Sequence, residues 1–128
     1  MIQFHDVTKV YDNGVMALSG IDLQIEKGEF VFLVGPSGAG KTTFMKLITR
    51  IERATEGQVI VGRKNVSRLK EKEVPAFRRN IGFIFQDFKL LPNKTVFENV
   101  SFALEVIEAS RREIQRQVPA VLELVGLR

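Results

Sequence analysis

The chain has 128 residues, of which 45% are hydrophobic, so it can bury one core of ordinary size and is interpreted as one domain or part of one. It has no cysteine and one histidine, His5, which excludes a disulfide framework, a cysteine-based zinc site and a histidine cluster for a metal. No run reaches the roughly 20 apolar residues of a membrane-spanning helix, and no signal peptide is recognised. We therefore expect a cytoplasmic chain that does not itself cross a membrane.

The chain is basic, with a net charge of +4, which suits a polyanionic partner such as a nucleotide, a nucleic acid or an acidic lipid surface. Between residues 63 and 79 the basic side chains outnumber the acidic ones by seven to two. A solvated face explains this stretch, because nucleic-acid binding also requires interleaved aromatic residues and here only Phe77 occurs. We predict no nucleic-acid partner. The basic residues are Arg63, Lys64, Arg68, Lys70, Lys72, Arg78 and Arg79.

The first part of the chain predicts an antiparallel hairpin followed by a buried strand. Residues 2–11 and 17–25 alternate polar and apolar side chains, and Asp12-Asn13-Gly14 supplies a turn between them. The compact apolar run from Phe30 to Val34 predicts a strand buried on both faces, as strands of parallel sheets are.

Further strands and a helix follow this run. Residues 41–51 carry apolar side chains at helical spacing, which predicts a helix that packs back on the sheet. Residues 58–61 and 81–85 predict strands. The expected fold class is α/β, with an amino-terminal antiparallel subdomain and a partial parallel core sheet flanked by helices.

Three more helices are predicted. Residues 72–79 form a short one with Pro75 in its first turn. Thr95 caps a helix that runs to about Ile107, and Glu98 completes the spacing of a capping box. The last helix follows Ser110 and runs to about Val125; we expect Pro119 to kink or divide it and Gly126 to end it.

The strongest motif is a Gly-rich turn between the predicted strand at 30–34 and the predicted helix at 41–51. Residues 35–42 match the P-loop pattern G-x-x-x-x-G-K-[ST] in the strand-turn-helix setting that it requires. Its glycines allow close approach of the backbone, so successive amide groups can turn toward phosphate oxygens, and the helix adds its positive dipole end. The residues predicted to bind nucleotide in this segment are Gly35, Pro36, Ser37, Gly38, Ala39, Gly40, Lys41, Thr42 and Thr43.

The side chains of this motif predict ATP and Mg²⁺ as ligands. Lys41 can reach the outer phosphates and is a predicted catalytic residue, Thr42 can ligate magnesium, and Thr43 can hold the inner phosphate. The complete match in its context disfavours a loop that merely turns the chain. A dinucleotide loop is disfavoured because the glycines are spaced G-x-x-G-x-G. A GTPase is disfavoured because residues 93–96 lack the aspartate of a guanine-reading Asn-Lys-x-Asp motif.

Residues outside the loop resemble the nucleotide-binding domain of ABC transporters, over essentially the whole chain. Val10-Tyr11-Asp12 resembles the aromatic A-loop of this family, which implies that Tyr11 stacks on adenine; a strand-end aromatic is the alternative. Ile84-Phe85-Gln86-Asp87 resembles the Q-loop, which implies that Gln86 contacts magnesium and the attacking water and takes part in catalysis; a surface glutamine is the alternative. The resemblance also implies a head-to-tail dimer of two ATPase domains in the intact protein.

Within this family the chain resembles the cell-division ATPases. The resemblance lies in Val74-Pro75-Ala76-Phe77-Arg78-Arg79 and in residues 85–92, 94–100 and 102–108. Lipoprotein-releasing and macrolide-export ATPases share the Phe-Gln, Leu-Leu-Pro and Glu-Asn-Val elements and are the alternatives. The Val-Pro-x-x-Arg-Arg run and the Gln86-Asp87 pair favour the cell-division ATPases.

The resemblance implies a protein on the inner face of the plasma membrane, bound to a polytopic partner resembling FtsX. ATP binding and hydrolysis would then act through this partner to control peptidoglycan hydrolysis. The coupling helix of the partner would dock at about residues 88–100, where Phe88, Leu90, Leu91 and Phe97 are unusually apolar for a loop. Packing of these side chains under the loop is the alternative.

Several catalytic elements of the family are absent from these 128 residues: the Leu-Ser-Gly-Gly-Gln signature, the Walker B aspartate with its glutamate, and the switch histidine. We interpret residues 1–128 as a truncated domain, with one side of its sheet exposed unless chains associate. The chain alone is expected to bind nucleotide without significant hydrolysis, because phosphoryl transfer needs positioned water and magnesium. Two function classes remain: an ATPase subunit as the intact protein, and a nucleotide-dependent module that docks to a membrane partner.

Overall fold

The structure is a computed structural model that describes residues 1–127. It divides into two compact units, the first comprising Met1–Gly82 and the second beginning at Phe83. No helix in the described part of the chain is both long enough and apolar enough to span a membrane.

The first unit is built on a four-stranded antiparallel sheet with the strand order β2-β1-β3-β4. The predicted hairpin is confirmed: its turn is closed by hydrogen bonds from the Tyr11 amide to the Val15 carbonyl at 2.9 Å and from the Gly14 amide to the Tyr11 carbonyl at 2.8 Å. The predicted strand at 58–61 is also confirmed. The strands are β1 (Ile2–Val10), β2 (Met16–Ile25), β3 (Glu56–Val61) and β4 (Lys64–Asn65).

An irregularity in β1 determines which of its side chains enter the core. Phe4 lies opposite Leu23 of β2 and Val59 of β3, and the register shifts between Phe4 and Val7. Asp6, between them, has a left-handed φ of 47°. Regular alternation would bury residues two apart, but this bulge places Phe4 and Val7, three apart, in the same core.

The core of the first unit lies between this sheet and the helix α1 (Lys41–Ile48). The rings of Phe4 and Phe44 stack with centroids 4.7 Å apart. Burial of one such side chain contributes about 1.5–3 kcal/mol, so these contacts hold the helix and the loop before it against β1. The short helix α2 (Val74–Arg78) has Pro75 in its first turn, as predicted, and adds Phe77 to the core. The buried apolar side chains are Phe4, Val7, Phe44, Leu47, Ile48, Val59, Val66 and Phe77.

Two predicted strands are wrong. Residues 30–34 and 81–85 form no strand, and Phe30, Val34 and Ile84 are almost fully exposed. A strand is stable when its backbone groups form hydrogen bonds with neighbouring strands. No strand of residues 1–127 pairs with either segment. The sheet of the described residues is therefore wholly antiparallel, without the expected parallel core strands.

The second unit contains the helices α3 (Val96–Val106) and α4 (Arg111–Leu124), which contact each other. The predicted capping box of α3 is confirmed: the Glu98 amide donates to Thr95 Oγ1 at 3.1 Å, and the Thr95 amide donates to Glu98 Oε2 at 2.7 Å. Thr95 therefore fixes where α3 begins.

The helix α4 begins at a serine cap and ends at a glycine. Ser110 Oγ accepts a hydrogen bond from the Glu113 amide at 3.2 Å. Helix α4 continues through Pro119 without interruption, so Pro119 does not divide it, and the expected kink stays a prediction. Proline removes one amide donor, and the hydrogen bonds on either side keep the helix intact. Gly126, with a φ of 78°, ends the helix as predicted.

Candidate nucleotide-binding site

The Gly-rich loop leads directly into α1 and is closed by its own backbone. The Ala39 amide donates to the Pro36 carbonyl at 3.1 Å, and Gly40 precedes the helix with a left-handed φ of 97°. A Cβ atom at Gly40 would lie 2.7 Å from the carbonyl oxygen of Ala17 in β2. Glycine is therefore required here both by the backbone angle and by the contact with the sheet.

The start of α1 has no side-chain cap, because Gly40 carries no side chain that could accept a hydrogen bond. The first amide groups of a helix have no acceptor inside the helix. Together with the helix dipole, these donors make the start of α1 favourable for an anion.

Lys41 places a positive charge beside the Gly-rich loop at the start of α1. Its Nζ donates to the carbonyl oxygens of Gly35 and Pro36, the latter at 2.8 Å. A Cβ atom at Gly35 would lie 3.8 Å from that Nζ and 3.3 Å from the Cβ of Ala39. The loop thus folds closely around the ammonium group, and a Cβ atom at position 35 would crowd the side chain of Ala39. The predicted loop, the start of α1 and Lys41 are brought together.

The two threonines after Lys41 differ in their surroundings. Thr42 is exposed, which leaves its hydroxyl accessible to an ion from solution. Thr43 is buried, and its Oγ1 lies 2.9 Å from the hydroxyl of Tyr11. A threonine hydroxyl can take part in more than one hydrogen bond, so the predicted contact of Thr43 with a phosphate stays a prediction beside the observed one with Tyr11.

Tyr11 follows β1 directly, and the structure places it beside α1. Its hydroxyl contacts Thr43, and the ammonium group of Lys9 lies 5.1 Å from the centroid of its ring. Lys9 in turn pairs with Glu52 at 3.2 Å. The sequence interpretation missed Lys9 and Glu52. Because side chains two residues apart in a strand lie on the same face, strand alternation could have placed Lys9 beside Tyr11. No local pattern indicates Glu52.

Gln86 belongs to the second unit, and its contacts with magnesium and water stay predictions. The two residues after Asp87 have left-handed backbones, with φ of 52° at Phe88 and 51° at Lys89. Lys89 donates to Asp87 with an ion-pair distance of 2.8 Å. This hydrogen bond holds the pKa of the Asp87 carboxyl below its ordinary value, so the group stays ionised at neutral pH.

The loop after Gln86 exposes apolar side chains and is held by one amide. Phe88 is 84% exposed and Leu90 70% exposed, so neither packs under the loop. The Asn99 side chain accepts from the Leu91 amide at 2.7 Å and donates to the carbonyl oxygens of Leu91 and Thr95. The loop is therefore attached to α3, with Phe88 and Leu90 exposed, whereas Leu91 and Phe97 are partly buried.

The sequence matches the ABC transporter family over residues 18–128. The chain belongs to this family. The resemblance to this family is thus confirmed, and with it the ABC type of fold.

Two curated ABC proteins are similar to the chain. It is 56% identical to the cell division ATP-binding protein FtsE of Bacillus subtilis, over the whole chain and 56% of the relative. It is 45% identical to the methionine import ATP-binding protein MetN of Helicobacter acinonychis, over 99% of the chain and 39% of the relative. The chain thus spans about half the length, or less, of the curated ABC proteins that it matches.

A solved ABC cassette, MJ0796, is similar in structure. It was determined as a dimer in a post-hydrolysis state bound to ADP and Pi, and it superimposes with a TM-score of 0.89 at 34% sequence identity. The match covers all of this chain and 58% of the cassette. The backbone of this chain therefore follows that of an ABC cassette in the part that the two share.

Proposed function

We propose that the chain binds ATP together with magnesium through residues 35–43, as part of an ABC-type ATPase that serves cell division. The observation that carries the proposal is the position of Lys41, whose ammonium group is held against the loop at the uncapped start of α1. Backbone donors, a helix dipole and a lysine converge there, and this combination recognises phosphate groups.

The roles of Lys41 and Thr42 follow from their positions, whereas those of Tyr11 and Gln86 follow from the resemblance to the ABC family. In the nucleotide complex, Lys41 exchanges its carbonyl partners at Gly35 and Pro36 for the outer phosphates. The exposed hydroxyl of Thr42 fits a magnesium ligand, since this ion prefers oxygen donors. Magnesium, when bound, neutralises charge on the phosphates. The resemblance implies that Tyr11 stacks on adenine and that Gln86 contacts magnesium and the attacking water in the intact protein.

Calorimetry with Mg-ATP tests the proposal, on this chain and on the variant Lys41→Ala, with GTP as the comparison. We expect ATP to bind, Lys41→Ala to weaken binding at least about tenfold, and phosphate release to stay at background. A folded chain that binds no ATP would contradict the proposal. Phosphate release well above background would contradict the expectation that these residues alone do not hydrolyse ATP.

The proposal of cell division rests on the 56% identity with FtsE of Bacillus subtilis. In the intact protein, two ATPase domains would pair head to tail and hydrolyse ATP on the inner face of the plasma membrane. ATP binding and hydrolysis would act through a polytopic partner resembling FtsX to control peptidoglycan hydrolysis. The exposed side chains of Phe88 and Leu90 supply an apolar surface for the coupling helix of this partner.

A second candidate is an ATPase subunit of an ABC transporter. The 45% identity with MetN favours an importer. The motif resemblance to lipoprotein-releasing and macrolide-export ATPases keeps an exporter as a further alternative. A chimera tests these candidates: this chain replaces the matching segment of Bacillus subtilis FtsE or of Helicobacter MetN. Restored division in cells that lack FtsE supports the first proposal, whereas restored methionine uptake alone supports the importer.

The coupling surface, which is the apolar surface that Phe88 and Leu90 form for the coupling helix, has its own test. Leu90→Glu is expected to abolish copurification of the intact protein with its membrane partner while leaving ATP binding unchanged. Leu124→Glu is the matched control, because Leu124 is also highly exposed and lies in α4, outside residues 88–100. Partner binding that survives Leu90→Glu would overturn the coupling surface.

A further inference from the structure

Tyr11 is held at two points, by Lys9, which lies outside the nucleotide motif, and by Thr43, the last residue of the proposed phosphate-binding segment. The ammonium group of Lys9 lies 5.1 Å from the centroid of the Tyr11 ring, and the ring's hydroxyl lies 2.9 Å from Oγ1 of Thr43. Lys9 is itself held by Glu52, at 3.2 Å. These residues connect β1, the first turn of α1 and the segment after α1.

The contact between Lys9 and Tyr11 is partly shielded from water. The Lys9 side chain is 12% exposed, and that of Glu52 is 32% exposed. An ammonium group over an aromatic ring is attracted more strongly as water is removed. The carboxylate of Glu52 pairs with Lys9 and offsets part of the cost of removing the ammonium group from water.

We propose that Lys9, held by Glu52, is a positioning residue for adenine. It lies over the ring of Tyr11 and restricts its orientation, so that the base of the nucleotide meets a side chain that is already ordered. A binding group ordered in advance loses less conformational entropy when the ligand arrives. The inference deepens the proposed function and rests on it.

The proposal predicts different effects on ligands that contain adenine and on ligands made of phosphates alone. Lys9 acts through Tyr11, so its loss should weaken ligands that carry adenine and leave a ligand made of phosphates alone almost unaffected. A lysine that merely stabilised the fold would weaken both classes equally. Inorganic tripolyphosphate with magnesium is the phosphate-only probe.

The ordering of the ring can be measured without any nucleotide. Tyr11 is the single tyrosine of the chain, which has no tryptophan, so tyrosine fluorescence reports on this ring alone. In Lys9→Met we expect lower fluorescence anisotropy and faster quenching by acrylamide than in the parent chain. Lys9→Arg should behave like the parent, because arginine also pairs with Glu52 and lies over the ring. Lys27→Met removes the same charge from an exposed turn and is the matched control.

Binding is then measured by calorimetry with Mg-ATP and with Mg-tripolyphosphate. Lys9→Met should weaken ATP roughly three- to tenfold and tripolyphosphate less than about twofold, and Lys9→Arg should restore the affinity for ATP. Glu52→Gln should change ATP binding in the same direction by a smaller factor. Equal loss for both ligands, or unchanged ATP binding in Lys9→Met, overturns the proposal.

The two proposals fail in different ways. If the parent chain binds tripolyphosphate and ATP equally well, the phosphate site stands and the role of Tyr11 and Lys9 in binding the base is wrong. If the parent chain binds neither ligand, the proposed function fails, and an unchanged Tyr11 fluorescence in Lys9→Met would separately show that Lys9 does not order the ring.

Discussion

The hydroxyl of Tyr11 lies 2.9 Å from Oγ1 of Thr43, which joins the end of β1 to the first turn of α1. Thr43 is buried and Tyr11 is partly buried, so this hydrogen bond is sheltered from solvent. The residue proposed to contact adenine is thereby tied to the helix proposed to hold the phosphates.

A double-mutant cycle measures this bond. Tyr11→Phe keeps the ring, and Thr43→Val keeps the shape, while each removes one hydroxyl. We expect each single variant to lower the free energy of unfolding by about 1 kcal/mol, with a coupling energy of about 0.5–1.5 kcal/mol. Urea denaturation of the four chains supplies the values, and additive effects would show that the two hydroxyls do not interact.

Arg50 is expected to matter far more for stability than its neighbour Arg53. Arg50 is 5% exposed and donates to the carbonyl oxygen of Leu69 at 2.9 Å, whereas the Arg53 side chain is 57% exposed and pairs with Glu71 on the surface. Arg50→Ala leaves buried acceptors without a donor, and should cost about 3 kcal/mol. Arg53→Ala should cost less than about 1 kcal/mol.

Urea denaturation compares the two arginine variants under the same conditions. The surface pair of Arg53 weakens as salt is added, whereas the hydrogen bonds of buried Arg50 are screened much less. Similar losses for the two variants, or a cost at Arg50 that high salt removes, would contradict this interpretation.

Asn99 is expected to hold the loop after Gln86. Its side chain makes hydrogen bonds with the backbone of Leu91, Lys94 and Thr95. Asn99→Ala should destabilise the attached loop by about 2 kcal/mol, which hydrogen exchange at the Leu91 amide would detect. Asn93→Ala, at an exposed position in the same loop, is the control and should leave this exchange unchanged.

The first turn of α3 should loosen in acid. Hydrogen bonds from Thr95, first from its backbone and then from its side chain, lower the pKa of the Glu98 carboxyl, and Lys94 lies 3.7 Å away. A carboxyl whose pKa is lowered by folding stabilises the folded state above its ordinary pKa, and this stabilisation is lost as pH falls through the folded pKa. The loss therefore begins below about pH 4.3.

NMR follows this transition directly, because the Thr95 amide donates to Glu98. Its chemical shift should titrate with Glu98, and Glu98→Gln should remove the titration while the rest of α3 is retained. A Thr95 amide that does not respond between about pH 3 and pH 6 would mean that the carboxylate does not cap the helix in solution.

The features that the sequence predicted well are local. A capping residue, a glycine after a helix and the P-loop pattern depend on neighbours within a few residues, so the starts of α1 and α3, and the end of α4 at Gly126, could be placed from the sequence. The hairpin of β1 and β2 was also predictable, because one turn joins two alternating strands.

Tertiary structure decided what depends on distant partners. The apolar run from Phe30 to Val34 has strand composition, yet it forms no strand because no segment of residues 1–127 pairs with it. The contacts of Tyr11 with Lys9 and Thr43, and of Lys9 with Glu52, join residues that become neighbours when α1 packs on β1. Sequence alone thus identified the P-loop pattern, whereas the surroundings of the proposed adenine contact follow from packing, which no local pattern encodes.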